Sequence, residues 1–354
     1  MKESSTGTWF QSEEAWRFYC ACAEWLTPFH TEVKRGKRIV GMVTGYVTKE
    51  QRTWKQRFSC RAVINGGPLL AADATIEEVK ELLLMTEAEV NRLSKGQIIY
   101  IETRNFVDLS PWREAFEQAG WEYKAHYDIH VDCRDEERLW QRIHESKKRA
   151  IARGGVEEER SRGVGKRGLR NEEKGMRNIG EWYALLEELY KTKVHRPLWP
   201  RAFFERAIEM GVGELIVVIA PNPAFPPKGK EEKGMRNEER EMRNEERGMS
   251  AQRANEERGK VMGGMFVVKD EKRVYEWYVV GSVPVTYAGL KYAMETGREV
   301  FDFMGAGEPG KPYGVRDFKM QFGGELKELG RWIRVCKRGY YNLGKLVVNA
   351  NILG

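Results

Sequence analysis

The sequence predicts an α/β (α+β) protein made from a duplicated unit, with mixed sheets flanked by helices. Three observations carry that reading. Each half of the chain spells out helix, strands, helix, strand. Apolar residues make up 41% and aromatic residues 11% of the 354 positions, which suits packed cores. Two polar, repetitive segments stand outside this grammar, and removing them leaves about 300 residues, the size of two modest domains. The division expected is 1–137 and 138–354, with a connecting basic helix over 138–153 at the start of the second half.

The elements follow in order. Residues 13–26, EEAWRFYCACAEWL, place Trp16, Tyr19, Cys20 and Ala23 at helical spacing. KRIVGMVTGYV and RFSCRAVI read as strands, and NGGPLLA as a turn. Residues 75–94 form an amphipathic helix, QIIYIETR a strand, and PWREAFEQAG a short helix opened by proline and closed by glycine. WEYKAHYDIHVD reads as one further strand. RLWQRIHESKKRAIARGG then joins the halves. Leu139, Ile143, Ala150 and Ile151 form its apolar side, while Arg142, Lys147, Lys148, Arg149 and Arg153 make it basic. In the second half, IGEWYALLEELYKT and PRAFFERAIEMG are helices and GELIVVIA is a strand. GGMFVVKDEKRVYEWYVVG is a hairpin turning at KDEK. VTYAGLKYAMETG is a helix ending on glycine, and REVFDFMG is a strand.

The two outlying segments are 154–178 and 228–260. The unit EEKGMRN occurs at 172 and at 231, followed by EEREMRN at 238 and EERGMSA at 245. The period is seven, yet only one residue per heptad is apolar (Met235, Met242, Met249), and a coiled coil needs two to bury a seam. Gly234 and Gly248 weaken a helix further. These segments read as disordered, low-complexity inserts in surface loops.

Composition also excludes. The formal charge of +7 fits either a polyanionic partner or simply a slightly basic surface. The five cysteines are scattered and make neither a zinc knuckle nor a disulfide framework. His126 and His130 are four apart, but in a strand that is ~13 Å, too far for one metal ion. No metal and no cofactor are expected. MKESSTGTWFQSEEAWRFY has no apolar run of signal or membrane-span length, so a cytoplasmic protein is expected, meeting a membrane only peripherally.

The stretch FDFMGAGEPGKPYGVRDFKMQFGG, 301–324, carries the candidate chemistry. It can be a phosphate cradle, an acyl-transfer loop or a tight turn. Gly305, Gly307 and Gly310 let backbone N–H groups approach a ligand closely. On a helix, Phe318 and Phe322 share one face and Arg316 and Lys319 lie close together, so the apolar side packs and the basic side faces a cleft. Asp302 faces away from Phe301 and Phe303, where it can orient an amine, act as a base or cap a loop. Arg196, before Pro197, suits a diphosphate or carboxylate, or else satisfies helix-end carbonyls. Arg149 and Lys148 either meet phosphate or form a solvated basic face.

Taken together, WFQSEEAWRFY, NGGPLL, ERLWQRIHESKKRAI, LYKTKVHRP (with Thr192 and Arg196 spaced by four) and FDFMGAGEP…GVRDFKMQFGG resemble the FemABX family of non-ribosomal aminoacyltransferases. The resemblance spans nearly the whole core. It implies two tandem GNAT-like acyltransferase domains with a precursor cleft between them. It implies transfer of an amino acid from aminoacyl-tRNA to an amine of a peptidoglycan precursor. It matches Lys319 to the family's functional lysine, acting on the acyl donor or its oxyanion. Asp302 is the second catalytic candidate; Arg196, Arg316, Phe318, Gly305, Gly307, Tyr313 and Arg149 are the substrate-binding ones. The long helical arm of some family members is absent. Two alternatives stand beside this. One is a GNAT-like N-acyltransferase using acyl-CoA or another donor; against it, GSVPVTYAGLKYAMETG lacks the pyrophosphate loop [R/Q]-x-x-G-x-[G/A], and TKEQRTWKQRF in the first half is no better. The other is a non-catalytic protein binding RNA or a nucleotide sugar.

Overall fold

The computed structural model describes residues 6–49, 59–153, 157–161, 169–220 and 259–344. Two mixed seven-stranded sheets flanked by helices form its frame. The first takes β1 (Thr27–Arg35), β2 (Arg38–Thr48), β3 (Arg61–Asn65), β4 (Leu69–Leu70), β5 (Tyr100–Arg104) and β6 (Glu122–Lys124). The second takes β7 (Tyr127–Asp132), β8 (Glu157–Ser161), β9 (Glu214–Ile219), β10 (Val261–Lys269), β11 (Arg273–Val280), β12 (Val300–Asp302) and β13 (Glu325–Glu328). The last strand, β14 (Arg331–Val335), returns to the first sheet between β5 and β6. Each sheet holds one parallel pair among antiparallel ones: β3 with β5, and β11 with β12. Each pair needs a helical crossover. α2 (Ile76–Leu93) supplies the first and α8 (Val283–Glu295) the second, which is the duplication read from the sequence.

The helices form where their ends are satisfied. α1 (Glu13–Ala21) starts on Ser12, whose hydroxyl accepts from Ala15 N–H. Thr75 and Glu78 make a reciprocal capping box for α2. Val79, Leu82, Leu83, Thr86 and Val90 fall on one helical face, and the apolar ones bury in the core of the first sheet. In NGGP the turn needs glycine: Gly66 has φ +81°, and a Cβ there would lie 2.4 Å from Thr8 Oγ1. One aromatic core spans the two halves. Phe10 lies 5.2 Å from Phe106 and 5.3 Å from Tyr275, and Phe18 lies 4.9 Å from Phe203, ring centre to ring centre. Among the described residues no helix is long and apolar enough to cross a membrane.

Several elements differ from the sequence reading. WEYKAHYDIHVD is not one strand. It breaks at residues 125 and 126, so that β6 stays in the first sheet and β7 crosses to the second. The joining helix is also two: α4 (Glu136–Arg142) and α5 (Glu145–Arg153). Ile143 turns extended between them, and His144 N–H donates to Gln321 O. α1 stops at Ala21, short of residue 26, and β1 follows unannounced. α3 (Arg113–Gln118), α6 (Leu169–Leu189) and α7 (Arg201–Glu209) match expected helices, α6 running on into a π-helical turn at Tyr190–Val194. Part of the first insert is ordered: residues 157–161 pair with β9 as β8, and residues 169–178 belong to α6. The charged sequence of β8 fits the sheet edge it occupies. The rest of that insert, and residues 228–258 of the second, lie outside the described residues.

Candidate active site

The parallel pair β11–β12 is short. It runs Arg273↔Val300, Val274↔Phe301, Tyr275↔Asp302 and stops, although β11 continues to Val280. Backbone groups left by the parting strands need other partners. α9 (Gly314–Met320) provides one. Lys319 Nζ donates to Phe303 O at 2.7 Å and meets Glu276 Oε1 at 2.8 Å. The two side chains are only 10% and 3% exposed. Burial pushes the Glu276 carboxyl up, against the pull of Lys319. Lys319 is thus buried and paired with Glu276, where the helical spacing implied a basic side facing a cleft.

Asp302 sits in a row of side chains across the sheet, Tyr275–Asp302–His130–Glu325. Tyr275 packs on Phe10 and Phe106, so this face looks toward the first half of the chain. Asp302 is wholly buried. Its Oδ1 accepts from Met304 N–H at 2.8 Å, holding Met304 at φ +57°, a strained value for a side-chain-bearing residue. Its Oδ2 lies 3.2 Å from His130 Nε2 and 4.0 Å from the Arg273 guanidinium; neither Oδ2 nor Nε2 has an aligned hydrogen bond. Beside it, Asp128 accepts from Ile129 and Gly305 N–H groups at 2.8 and 2.9 Å. Burial, then the neighbouring Asp302, pushes the Asp128 carboxyl well up.

A second cluster adjoins, on the first sheet. Arg104 meets Glu102 at 2.7 Å, Arg331 lies 3.9 Å from the same carboxylate and 3.0 Å from His126 Nε2, and Arg61 reaches Tyr100 at 3.3 Å. Burial works against the Glu102 charge, but Arg104, Arg331 and Arg61 hold it at about 2. Burial, with Arg104 and Arg196 adding repulsion, lowers Arg331 to about 10. Burial and then Arg331 push His126 down to about 3, so it is neutral. Arg61, Arg104 and Arg331 outnumber Glu102, the carboxylate at their centre. The surplus suits an anionic ligand group.

The other sequence candidates distribute unevenly. Gly305 takes φ +126° and spends its N–H on Asp128, so that N–H is not offered to a ligand. Gly307, at φ +80°, lies so close to the Tyr313 ring that a Cβ would sit 2.9 Å from it. Arg316 spends its guanidinium on Ala306, Glu308 and Lys311 carbonyls and braces the glycine loop. Phe318 packs on Phe322 at 5.2 Å with Lys147 over its ring. Arg196 is exposed, after His195 at φ +52°, and its charge is felt at Arg331. Arg149 lies exposed on α5, its one hydrogen bond returning to Glu145 O; it joins neither cluster. Sequence reasoning passed over Asp128, His130, Glu276, Glu102, Arg104 and Arg331. The signal was there for some: polar residues at inward positions of otherwise apolar strands, as in YDIHVD. His126 and His130 take different neighbours, Arg331 and Asp302. Asp128, His130 and Asp302 bring donor atoms within 4.8 Å of one another, the one such group of metal-ligand types among the described residues. Arg273 and Lys319 already stand beside those carboxylates as cations.

No protein-family model and no curated protein matches this chain. Solved structures do. FemX superposes with a TM-score of 0.62 at 14% identity, over 97% of this chain and 96% of that one. The C-terminal domain of a candidate lysylphosphatidylglycerol synthetase from Agrobacterium fabrum gives 0.50 at 11% identity, covering 91% and 89%. A conserved protein of unknown function from Bacteroides thetaiotaomicron gives 0.50 at 11% identity, covering 94% and 92%. The fold that the FemABX resemblance implied is the fold this chain has.

Proposed function

We propose that this chain is a FemABX-like acyltransferase that moves an amino acid from aminoacyl-tRNA to an amino group of a peptidoglycan precursor, lipid II or UDP-MurNAc-pentapeptide. The two tandem units are 1–137 and 138–354, each lending a strand to the other's sheet. The observation that carries the reading is Lys319, buried with Glu276 where β11 and β12 part, in the same structure as a cluster of arginines around Glu102. Acyl transfer from an ester to an amine asks for these things together: an anion seat, donors for an oxyanion, and groups that handle the amine proton.

The parts divide as follows. Arg61, Arg104 and Arg331, with Arg196 at the rim, seat the anionic portion of a substrate. Lys319 has three N–H donors, of which Phe303 O and Glu276 take two. The third is the one that serves the oxyanion. Arg316 holds the glycine loop over the site by its own carbonyls. A CoA donor fits less well, because α8 opens on Ser282 and Pro284 with a single glycine, Gly281, before them and not the loop [R/Q]-x-x-G-x-[G/A] that holds a pyrophosphate.

The test offers purified protein two labelled donors, an aminoacyl-tRNA mixture and acetyl-CoA, each with precursor pentapeptide as acceptor. Label reaching the acceptor from tRNA alone is the expected result. Transfer from acetyl-CoA alone overturns the donor assignment in favour of a GNAT-like N-acyltransferase. Binding of tRNA or precursor without turnover overturns the enzyme reading.

A further inference from the structure

We infer that His130 is the general base of the transfer, with Asp302 and Asp128 behind it as positioning residues. This rests on the acyl-transfer reading above and names the group that reading lacks, the one that takes the amine proton. Three observations support it. His130 Nε2 is buried against Asp302 Oδ2 at 3.2 Å. Nδ1 is not among the buried unpartnered atoms and has no hydrogen bond among the described residues, so it is the nitrogen left open. Asp302 is itself fixed by Met304 N–H, and Asp128 by two backbone N–H groups, so the carboxyls behind the ring cannot swing away. A histidine with one nitrogen on a buried carboxylate and the other free is built to accept a proton. The Nε2–Oδ2 contact is not aligned, and such contacts commonly tighten only around a substrate.

The step balances as follows. The acceptor arrives as an ammonium. His130 Nδ1 takes one proton, and the freed amine attacks the ester carbonyl carbon. The C–N bond forms and the ester C–O bond breaks. The imidazolium returns its proton to the departing ribose oxygen, and the amine's second excess proton goes to solvent. Ester and ammonium become amide, alcohol and one proton.

The groups facing His130 are Asp302 from β12, Asp128 on its own strand, Tyr275 and Arg273 from β11, and Glu325 from β13. Lys319 of α9 bears on it through Asp128.

The first experiment needs no turnover. Long-range proton–nitrogen spectra of histidine-labelled protein should show neutral His130 carrying its proton on Nε2 with Nδ1 bare, and Asp302→Asn should abolish that preference. A proton on Nδ1 overturns the proposal. One equivalent of Zn²⁺ should leave the His130 signals in place; a stoichiometric shift lost in Asp128→Asn would make it a metal ligand instead and overturn the proposal equally. The second experiment compares wild type with His130→Gln in transfer from aminoacyl-tRNA, melting curves confirming the fold. The expected result is a kcat loss of about 10²- to 10⁴-fold with KM for the acceptor within threefold, and loss of the inflection in the kcat/KM–pH profile. Unchanged kcat and inflection overturn it. If wild type transfers nothing, the acyl-transfer reading falls, while the tautomer still decides whether His130 is set up as a base.

Discussion

The two parallel-strand junctions are the same construction put to different ends. In the first sheet, β3 and β5 pair without interruption from Arg61↔Tyr100 to Asn65↔Arg104, and Gly66 N–H closes the end on Arg104 O. In the second sheet, β11 and β12 pair for three residues and part. The closed junction gathers arginines around Glu102; the open one gathers Asp128, Glu276 and Asp302 around Lys319 and His130. The closed side gathers arginines around one carboxylate; the open side buries the Asp128 carboxyl beside Asp302, which disfavours its charge. A duplicated fold therefore need not give two equivalent sites. Ending one strand pair early turns a structural seam into a place for chemistry.

The sharpest way to break this contrast is at Lys319. Lys319→Ala leaves Glu276 buried without its cation, and about 3–5 kcal/mol of stability should go, read by urea denaturation. Loss of transfer in that variant alone would therefore be ambiguous. The paired change Lys319→Met with Glu276→Leu should recover most of the stability and none of the transfer. If the pair transfers normally, the open junction is only architecture. Closing the contrast from the other side, Gly66→Ala should cost about 1–3 kcal/mol, because its φ is positive and Thr8 blocks a Cβ. It should leave the Lys319 pair intact, so a change in the transfer pH profile would show the junctions to be coupled.

Two smaller effects sharpen it. Arg331→Gln should raise KM for the anionic acceptor about tenfold, the worth of roughly one charge-assisted contact. It should also move His126 up from about 3 toward the ordinary histidine range, visible in an NMR titration, because Arg331 is the second cause of its depression after burial. The smallest effect is at Asp128. Its folded carboxyl holds the proton more tightly than an unfolded one, so stability is lost as pH rises above the unfolded value of about 3.9. Asp128→Asn mimics the protonated form. It should stay within about 1 kcal/mol of wild type at pH 4, where both are neutral, and exceed it above pH 7.

Much of this was legible. α2 could be read almost to the residue, because Thr75 and Glu78 announce its start and its apolar spacing is regular. The hairpin at KDEK and the glycine after α8 were equally plain. β6 and β7 were not, because alternation continues smoothly through KAHYD; only pairing partners decide that one strand becomes two in different sheets. At the site, Lys319 and Asp302 stood out through local pattern and resemblance. Glu276 and Asp128 did not, since the partner of each lies far along the chain: Lys319 for Glu276, and the Gly305 N–H and Asp302 for Asp128. Charge partners across a sheet leave no local period to read.

The strand exchange has a consequence for how the molecule is made. Trp332 N–H closes on Thr103 Oγ1, 229 residues earlier in the chain. On a ribosome the first sheet must wait, with an open slot between β5 and β6, until Arg331–Val335 has emerged. Closing so long a loop is slow, and it comes late. The arginine pocket includes Arg331, from the strand that fills that slot. A growing chain therefore lacks the complete arginine cluster, and whatever that cluster binds can be bound only once β14 is in place.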